Sequence, residues 1–291
     1  MNSDGQQAAD FIEVLHPTLQ AAGLKTQIAC CDGSGWKQAE ERLWGIQAAG
    51  AEDLLGVVTG HGYSDLPTYA FNTTRKVWET EWSTFDSRNL NWYTPEPAGG
   101  FPAGTYPPQS DGLTWANHAH TTIAQANVSA FFYWWGAASK FDFPVSSVVM
   151  HADQISTDDT DNEPLIYTYT NSSDDSVIVT KRLWAMAHWG SRLVLPGAYR
   201  IDATANNAML NVTAFSNPDG TTAVQVINNA NITQAITIKG LTVPNHANAV
   251  NTFTTNQNKD FDQSPPLTQD KNLITQMIPA FSLTSFKIAS S

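Results

Sequence analysis

Apolar positions along the first two-thirds of the chain alternate between a helical and a strand-like period. Phe11, Val14 and Leu15 recur at helical spacing behind Asp4, a good N-cap, so a helix is expected to about His16. Pro17 is expected to break or kink it, with a further turn reaching Ala22. Residues 26–31 read as a buried strand ending at Asp32-Gly33-Ser34-Gly35, and an amphipathic helix follows from about Trp36 to Ala49. Leu54 to Thr59 is the next apolar strand, ending at Gly60-His61-Gly62-Tyr63, and Lys76 to Ser83 is a third. A loop rich in Pro, Gly and Tyr (about 84–111) leads to a helix at about 113–126 and a strand at Val128 to Trp134. A long polar loop then precedes a helix at Lys181 to Trp189.

This alternation predicts βαβ units around a parallel sheet. Asp32, His61, Tyr63, Glu81, Trp134 and Trp135 all fall at C-terminal strand ends, where parallel sheets and barrels place their sites. After Pro196 the helical period disappears. Thr213 to Phe215 and Ala223 to Val226 flank the turn Asn217-Pro218-Asp219-Gly220 as a hairpin, with further strands at 235–238, 249–254 and 283–288. The chain is therefore expected to divide into an α/β domain over 1–195 and an all-β, sandwich-like domain over 196–291.

Composition narrows the function classes. A chain of 291 residues can bury a substantial core, and a formal charge of −12 argues against a nucleic-acid backbone or an anionic membrane as partner. No apolar run approaches the roughly 20 residues of a membrane span. The opening Met1-Asn2-Ser3-Asp4-Gly5 is polar and unlike a signal peptide, which fits either a cytoplasmic protein or a chain whose true beginning lies elsewhere. Sequons at Asn72, Asn127, Asn171, Asn211 and Asn231 fit a secreted protein. The two cysteines, Cys30 and Cys31, are adjacent and are expected to pack as small buried residues without a disulfide.

Several segments, in order, resemble glycoside hydrolase family 30. Gly60-His61-Gly62-Tyr63-Ser64, Val77-Trp78-Glu79-Thr80-Glu81-Trp82-Ser83 and Phe132-Tyr133-Trp134-Trp135-Gly136 resemble the ends of that family's strands six, seven and eight. Lys181-Arg182-Leu183-Trp184-Ala185 to Arg192 and Pro196-Gly197-Ala198-Tyr199-Arg200-Ile201 resemble its passage from the last barrel helix into the side sandwich. Ile278 to Thr284 resembles its final strand. Gly5 to Phe11 and Ile28 to Gly33 look most like the fungal branch of xylanases and endo-β-1,6-galactanases. The resemblance implies the C-terminal half of a (β/α)8 TIM barrel, strands five to eight, with a C-terminal β-sandwich. It also implies that strands one to four, with the Asn-Glu-Pro segment bearing the acid/base, lie outside this chain, together with a signal peptide for secretion. Asn162-Glu163-Pro164 spells that motif but follows strand eight in a polar loop, and reads as a solvated turn.

Retaining glycosidases need two carboxyl groups about 5–5.5 Å apart, one as nucleophile and one as acid/base. The resemblance makes Glu81 the nucleophile. Glu79, expected on the same strand face, is its rival. Tyr63 is expected to donate a hydrogen bond to the nucleophile and His61 to bind a sugar hydroxyl. Trp134 and Trp135 are expected on opposite faces, so that one of them, Trp134 ahead of Trp135, floors the subsite at the cleavage point; Asp32, Trp36 and Trp82 are further candidate substrate contacts. Arg88 is the one cation in the strand-seven loop suited to a glucuronic-acid side chain. His118 and His120 are expected on different sides of a helix, and Asp158-Asp159-Thr160-Asp161 lacks the pattern of a calcium loop, so neither metal nor cofactor is expected. The expected activity is endo-β-1,4-xylan hydrolysis by an extracellular enzyme, monomeric when complete. The alternatives are β-1,6-galactan hydrolysis or a catalytically incomplete fragment that at most binds carbohydrate.

Overall fold

The computed structural model describes residues 3–83, 91–95, 111–140, 164–169, 177–190, 192–243, 249–264, 269–270 and 273–290. Two compact units form, one from residues 1–84 and 121–135, the other from 85–120 and 136–291.

The first unit holds a four-stranded, wholly parallel sheet: β1 (Ala29–Gly33), β2 (Val57–His61), β3 (Lys76–Trp82) and β4 (Ala130–Tyr133), in that order. Helix α1 (Gly5–Ala21) precedes β1, and α2 (Trp36–Ala48) connects β1 to β2, as the sequence pattern predicts. This is the strand-five-to-eight half of a (β/α)8 barrel. Ala9, Ile12, Trp36, Leu43, Ile46, Val58 and Val77 form the core between helices and sheet.

Local signals explain where these elements begin. Asp4 Oδ1 accepts the Gln7 amide while the Gln7 side chain accepts the Asp4 amide, a reciprocal N-terminal cap. Pro17 does not break α1, which carries on to Ala21, close to the expected further turn reaching Ala22. Its missing N–H and ring typically cost ~3 kcal/mol. Leu15 and Leu19 on either side pack against the core, and that burial offsets the loss. Cys30 and Cys31 carry free thiols and are half-buried rather than fully enclosed. Glycines admit the closest contacts: a side chain at Gly33 would meet the Ala39 backbone nitrogen at 2.4 Å, which lets α2 start directly against β1.

The second unit is dominated by antiparallel strands. A six-stranded sheet runs in the order β13 (Lys259–Ser264), β12 (Val250–Asn256), β16 (Ser282–Ile288), β10 (Thr222–Asn228), β9 (Leu210–Ser216), β8 (Tyr199–Ile201). A three-stranded sheet holds β11 (Gln234–Ile238), β15 (Leu273–Ile278) and β14 (Gln269–Asp270). Ala214, Val224, Val226, Val250, Ile274, Ile278 and Phe286 pack between these sheets as a sandwich core. A second small sheet joins β5 (Ala137–Lys140), β6 (Ile166–Tyr169) and β7 (Val177–Val179), leading into α4 (Lys181–Ala187). His188 follows α4 and is fully buried, its two ring nitrogens sharing hydrogen bonds with Ser285 Oγ at 2.6 Å and Thr255 Oγ1 at 2.9 Å.

The helix α3 (Gly112–Ala124) carries the two histidines considered as metal ligands. His118 packs against Trp115, and His120 Nδ1 shares a hydrogen bond with Thr213 Oγ1 at 2.7 Å. Burial lowers the pKa of both, His118 to about 4. Among the described residues no group of three or more His, Cys, Asp or Glu is placed to hold a metal, and no helix is long and apolar enough to cross a membrane. Arg88, Asn171, Asp158 to Asp161, Asn162 and Glu163 lie outside the described residues.

Candidate active site

The strand that carries Glu81 is irregular at that residue. Gly60 and His61 on β2 pair with Glu79 and Glu81, and Glu79 and Trp82 pair with Phe131 and Tyr133 on β4. Thus β3 spends one residue more than either neighbour over this stretch, a β-bulge that re-aims the side chains around it. Regular alternation no longer governs. Glu79 is fully buried, whereas the half-buried Glu81 turns its carboxylate to Tyr63.

Tyr63 follows β2 and donates its phenol proton to Glu81 Oε1 at 3.1 Å. Burial, then the Glu81 charge, raises the phenol pKa, so Tyr63 remains a donor at neutral pH. Beneath them, Glu79 Oε1 accepts the Glu81 amide at 3.0 Å and Oε2 accepts the Phe132 amide at 3.2 Å. Burial pushes the Glu79 carboxyl up to about 8, outweighing the two amides that favour its charge.

A second cluster joins three strand ends. Asp32, left-handed at φ 46°, accepts a hydrogen bond from Thr80 Oγ1 at 2.7 Å and lies 3.5 Å from His61 Nε2. Its own amide donates to Thr59 Oγ1, and Arg42 Nη1 donates to the carbonyls of Cys31 and Asp32. The His61 hydrogen bond, followed by those from Thr80 and Thr59, holds the Asp32 carboxyl at about 2 against its partial burial. Asp32 is therefore ionised and partly exposed, and not the cap of α2, whose N-cap is Gly35. His61 sits edge-on to Tyr63 with ring centroids 5.9 Å apart, so the two residues share one mouth.

Not every aromatic candidate faces outward. Trp36 is fully buried, stacked on Phe71 at 4.3 Å, with its indole N–H donated to the Tyr69 carbonyl at 2.7 Å. It belongs to the core and offers no face to a ligand. Trp82 is only 5% exposed and lies over Gly62, where an added Cβ would meet the indole at 2.2 Å. It supports the site from below. Trp134 and Trp135 are 37% and 41% exposed and meet at 5.4 Å in a T-shaped pair. Their expected division onto opposite faces does not occur, because both lie past Tyr133, where β4 and its alternation end. Exposed aromatic rings past the end of β4, with ionised Asp32 and the Tyr63–Glu81 pair at the ends of other strands of the sheet, are the kinds of group that suit a sugar, whose C–H faces stack while its hydroxyls hydrogen-bond.

Comparison with known proteins agrees with this chemistry. Residues 197–285 match the glycosyl hydrolase family 30 beta sandwich domain. The whole chain superposes on the catalytic domain of GH30 xylanase C from Talaromyces cellulolyticus with a TM-score of 0.79 and 32% identity, covering 100% of this chain and 58% of that one. The subfamily 8 xylanase Xyn30A from Clostridium acetobutylicum matches with a TM-score of 0.67 and 15% identity over 99% of this chain and 62% of its own. The endo-β-1,6-glucanase BT3312 matches at 0.66 and 19% identity, over 99% and 54%. The last two show the fold alone. The chain thus spans between 54% and 62% of the lengths of these relatives.

Proposed function

The chain belongs to glycoside hydrolase family 30, and from that premise we propose that it contributes the nucleophile, Glu81, to a retaining endo-β-1,4-xylanase site. The Tyr63 hydrogen bond to Glu81 Oε1 carries this assignment: it orients one carboxylate oxygen and leaves the other for attack at an anomeric carbon. His61 and Asp32 then bind sugar hydroxyls, and Trp134 with Trp135 floors the cleavage subsite.

The mechanism also needs a carboxyl that holds a proton at working pH and reaches the leaving oxygen. Glu79 holds a proton but is sealed from substrate; Asp32 is exposed but ionised down to about pH 2. We therefore assign the acid/base to a residue outside the described ones. Xylan is preferred over β-1,6-galactan because the relative with 32% identity is a xylanase. Secretion fits the acidic, sequon-bearing composition, with Asn72, Asn127 and Asn231 exposed. We put the barrel portion at 1–195 and the sandwich at 196–291, a boundary that the sandwich match from residue 197 supports.

The test is hydrolysis of β-1,4-xylan and β-1,6-galactan by the wild type and Glu81→Gln, with mass spectrometry after a 2-deoxy-2-fluoro xyloside. We expect the trapped sugar on Glu81 and a loss of turnover of roughly 10⁴-fold or more in the variant. Label on another carboxylate, or an active Glu81→Gln protein, refutes the assignment. Binding without turnover on both substrates points instead to a carbohydrate-binding chain.

A further inference from the structure

We propose that Glu79 is a positioning residue, its buried carboxyl holding the backbone of Glu81 in place across the bulge in β3. This rests on the assignment of Glu81 as nucleophile. The bulge explains why such a residue is needed. Between the Glu79–Phe131 and Trp82–Tyr133 pairs, the ladder of β3 and β4 has no regular partner for Glu81 or Phe132. Buried amides left without an acceptor are strongly disfavoured, so something must replace the missing carbonyls. Glu79 supplies one oxygen to each, at 3.0 and 3.2 Å, and so ties two strands together at the point where regular pairing fails.

The chemistry of the position singles out a carboxyl. Glutamine has one acceptor oxygen and would direct an N–H₂ donor at the second amide, whereas both oxygens of a carboxyl keep a lone pair to accept with even when one is protonated; alanine leaves both amides unmet. Being fully buried, Glu79 touches no substrate and does not act as acid, base or nucleophile. Its influence passes through the Glu81 amide to the Glu81 Cα and hence to the carboxylate that Tyr63 holds at 3.1 Å. A displacement of about 1 Å in a reacting group is enough to cost on the order of 10²-fold in rate. The titratable groups facing Glu79 are Glu81 on its own strand and Tyr63 after β2; β4 presents a backbone amide. With two acidic neighbours and no cation among these, its raised pKa is consistent with the geometry.

Two measurements on the full chain need no turnover. In the isotope-labelled wild type, the Glu81 and Phe132 amide protons should titrate together with one midpoint well above the ordinary carboxylate range, and in Glu79→Gln neither should. Crystal structures should show the Tyr63–Glu81 hydrogen bond lengthened in Glu79→Gln, the variant most apt to fold if Glu79→Ala does not. On xylo-oligosaccharides, kcat should fall about 10–100-fold in Glu79→Gln and further in Glu79→Ala, with KM changed less than about twofold. Amides that do not titrate, an unmoved Glu81 carboxylate, or full kcat in Glu79→Gln overturns the positioning role while leaving Glu81 as nucleophile. A wild type without turnover counts against the proposed function alone, because titration and crystal distances still decide what Glu79 holds.

Discussion

Replacing Glu79 by glutamine should abolish a fall in the first unit's stability between about pH 4.5 and pH 8. An unfolded glutamate ionises near 4.5, whereas folded Glu79 keeps its proton to about pH 8. Between these values unfolding releases a proton, so the wild type loses stability as pH rises. Each pH unit costs about 1.4 kcal/mol, so the whole interval amounts to on the order of 5 kcal/mol, fully charged only above pH 8. Glutamine removes that dependence and forfeits one amide hydrogen bond, a pH-independent loss of about 1–3 kcal/mol. The two stability curves should therefore cross near pH 6: the variant weaker at pH 5 and stronger at pH 8. Urea unfolding followed by tryptophan fluorescence across pH 5–8.5 measures both curves, and their difference cancels groups common to the two proteins. A difference that stays flat with pH would show that Glu79 is ionised like a surface carboxylate and that the buried-proton account is wrong.

Other outcomes follow from single contacts. Tyr63→Phe removes the donor on Glu81 Oε1 and should lower kcat about 10- to 100-fold with little change in KM, read from initial rates on xylo-oligosaccharides. Gly62→Ala drives a Cβ into the Trp82 indole, so it should destabilise the first unit by ~1–3 kcal/mol and shift tryptophan emission; an unchanged midpoint and spectrum would contradict the packing. In the second unit, burial lowers the His188 pKa to about 3 from an ordinary 6.5. The unfolded imidazole takes up a proton first, so this unit should lose stability as pH falls from 6.5 towards 3, and that acid slope should be absent in His188→Gln.

The sequence pattern located every strand of the parallel sheet but misplaced some ends, for identifiable reasons. The first apolar run was expected at 26–31, yet β1 spans Ala29–Gly33 because pairing begins only where Ala29 meets Val57. Polar strands such as Lys259–Ser264 give no apolar period and were not anticipated. Residue type alone does not separate a sugar platform from a core residue: Trp36 and Trp134 look equivalent in the sequence, yet one is enclosed by Phe71 and the other is open to solvent. The Tyr63–Glu81 contact was legible because two strand-end motifs placed the residues side by side. The role of Glu79 was not, since nothing in the residue types from Lys76 to Trp82 marks an added residue.

That added residue makes the site depend on counting as much as on identity. Deleting Thr80 would preserve nearly all the chemistry readable in β3 yet return the strand to even pairing with both neighbours. Backbone carbonyls would then take over the amides that Glu79 now serves, and Glu81, still opposite His61, would lose the bulge that re-aims it towards Tyr63. A relative with this single-codon gap would pass as a near-identical homologue in any residue-by-residue tally. Its glutamate would nonetheless point at the wrong atom.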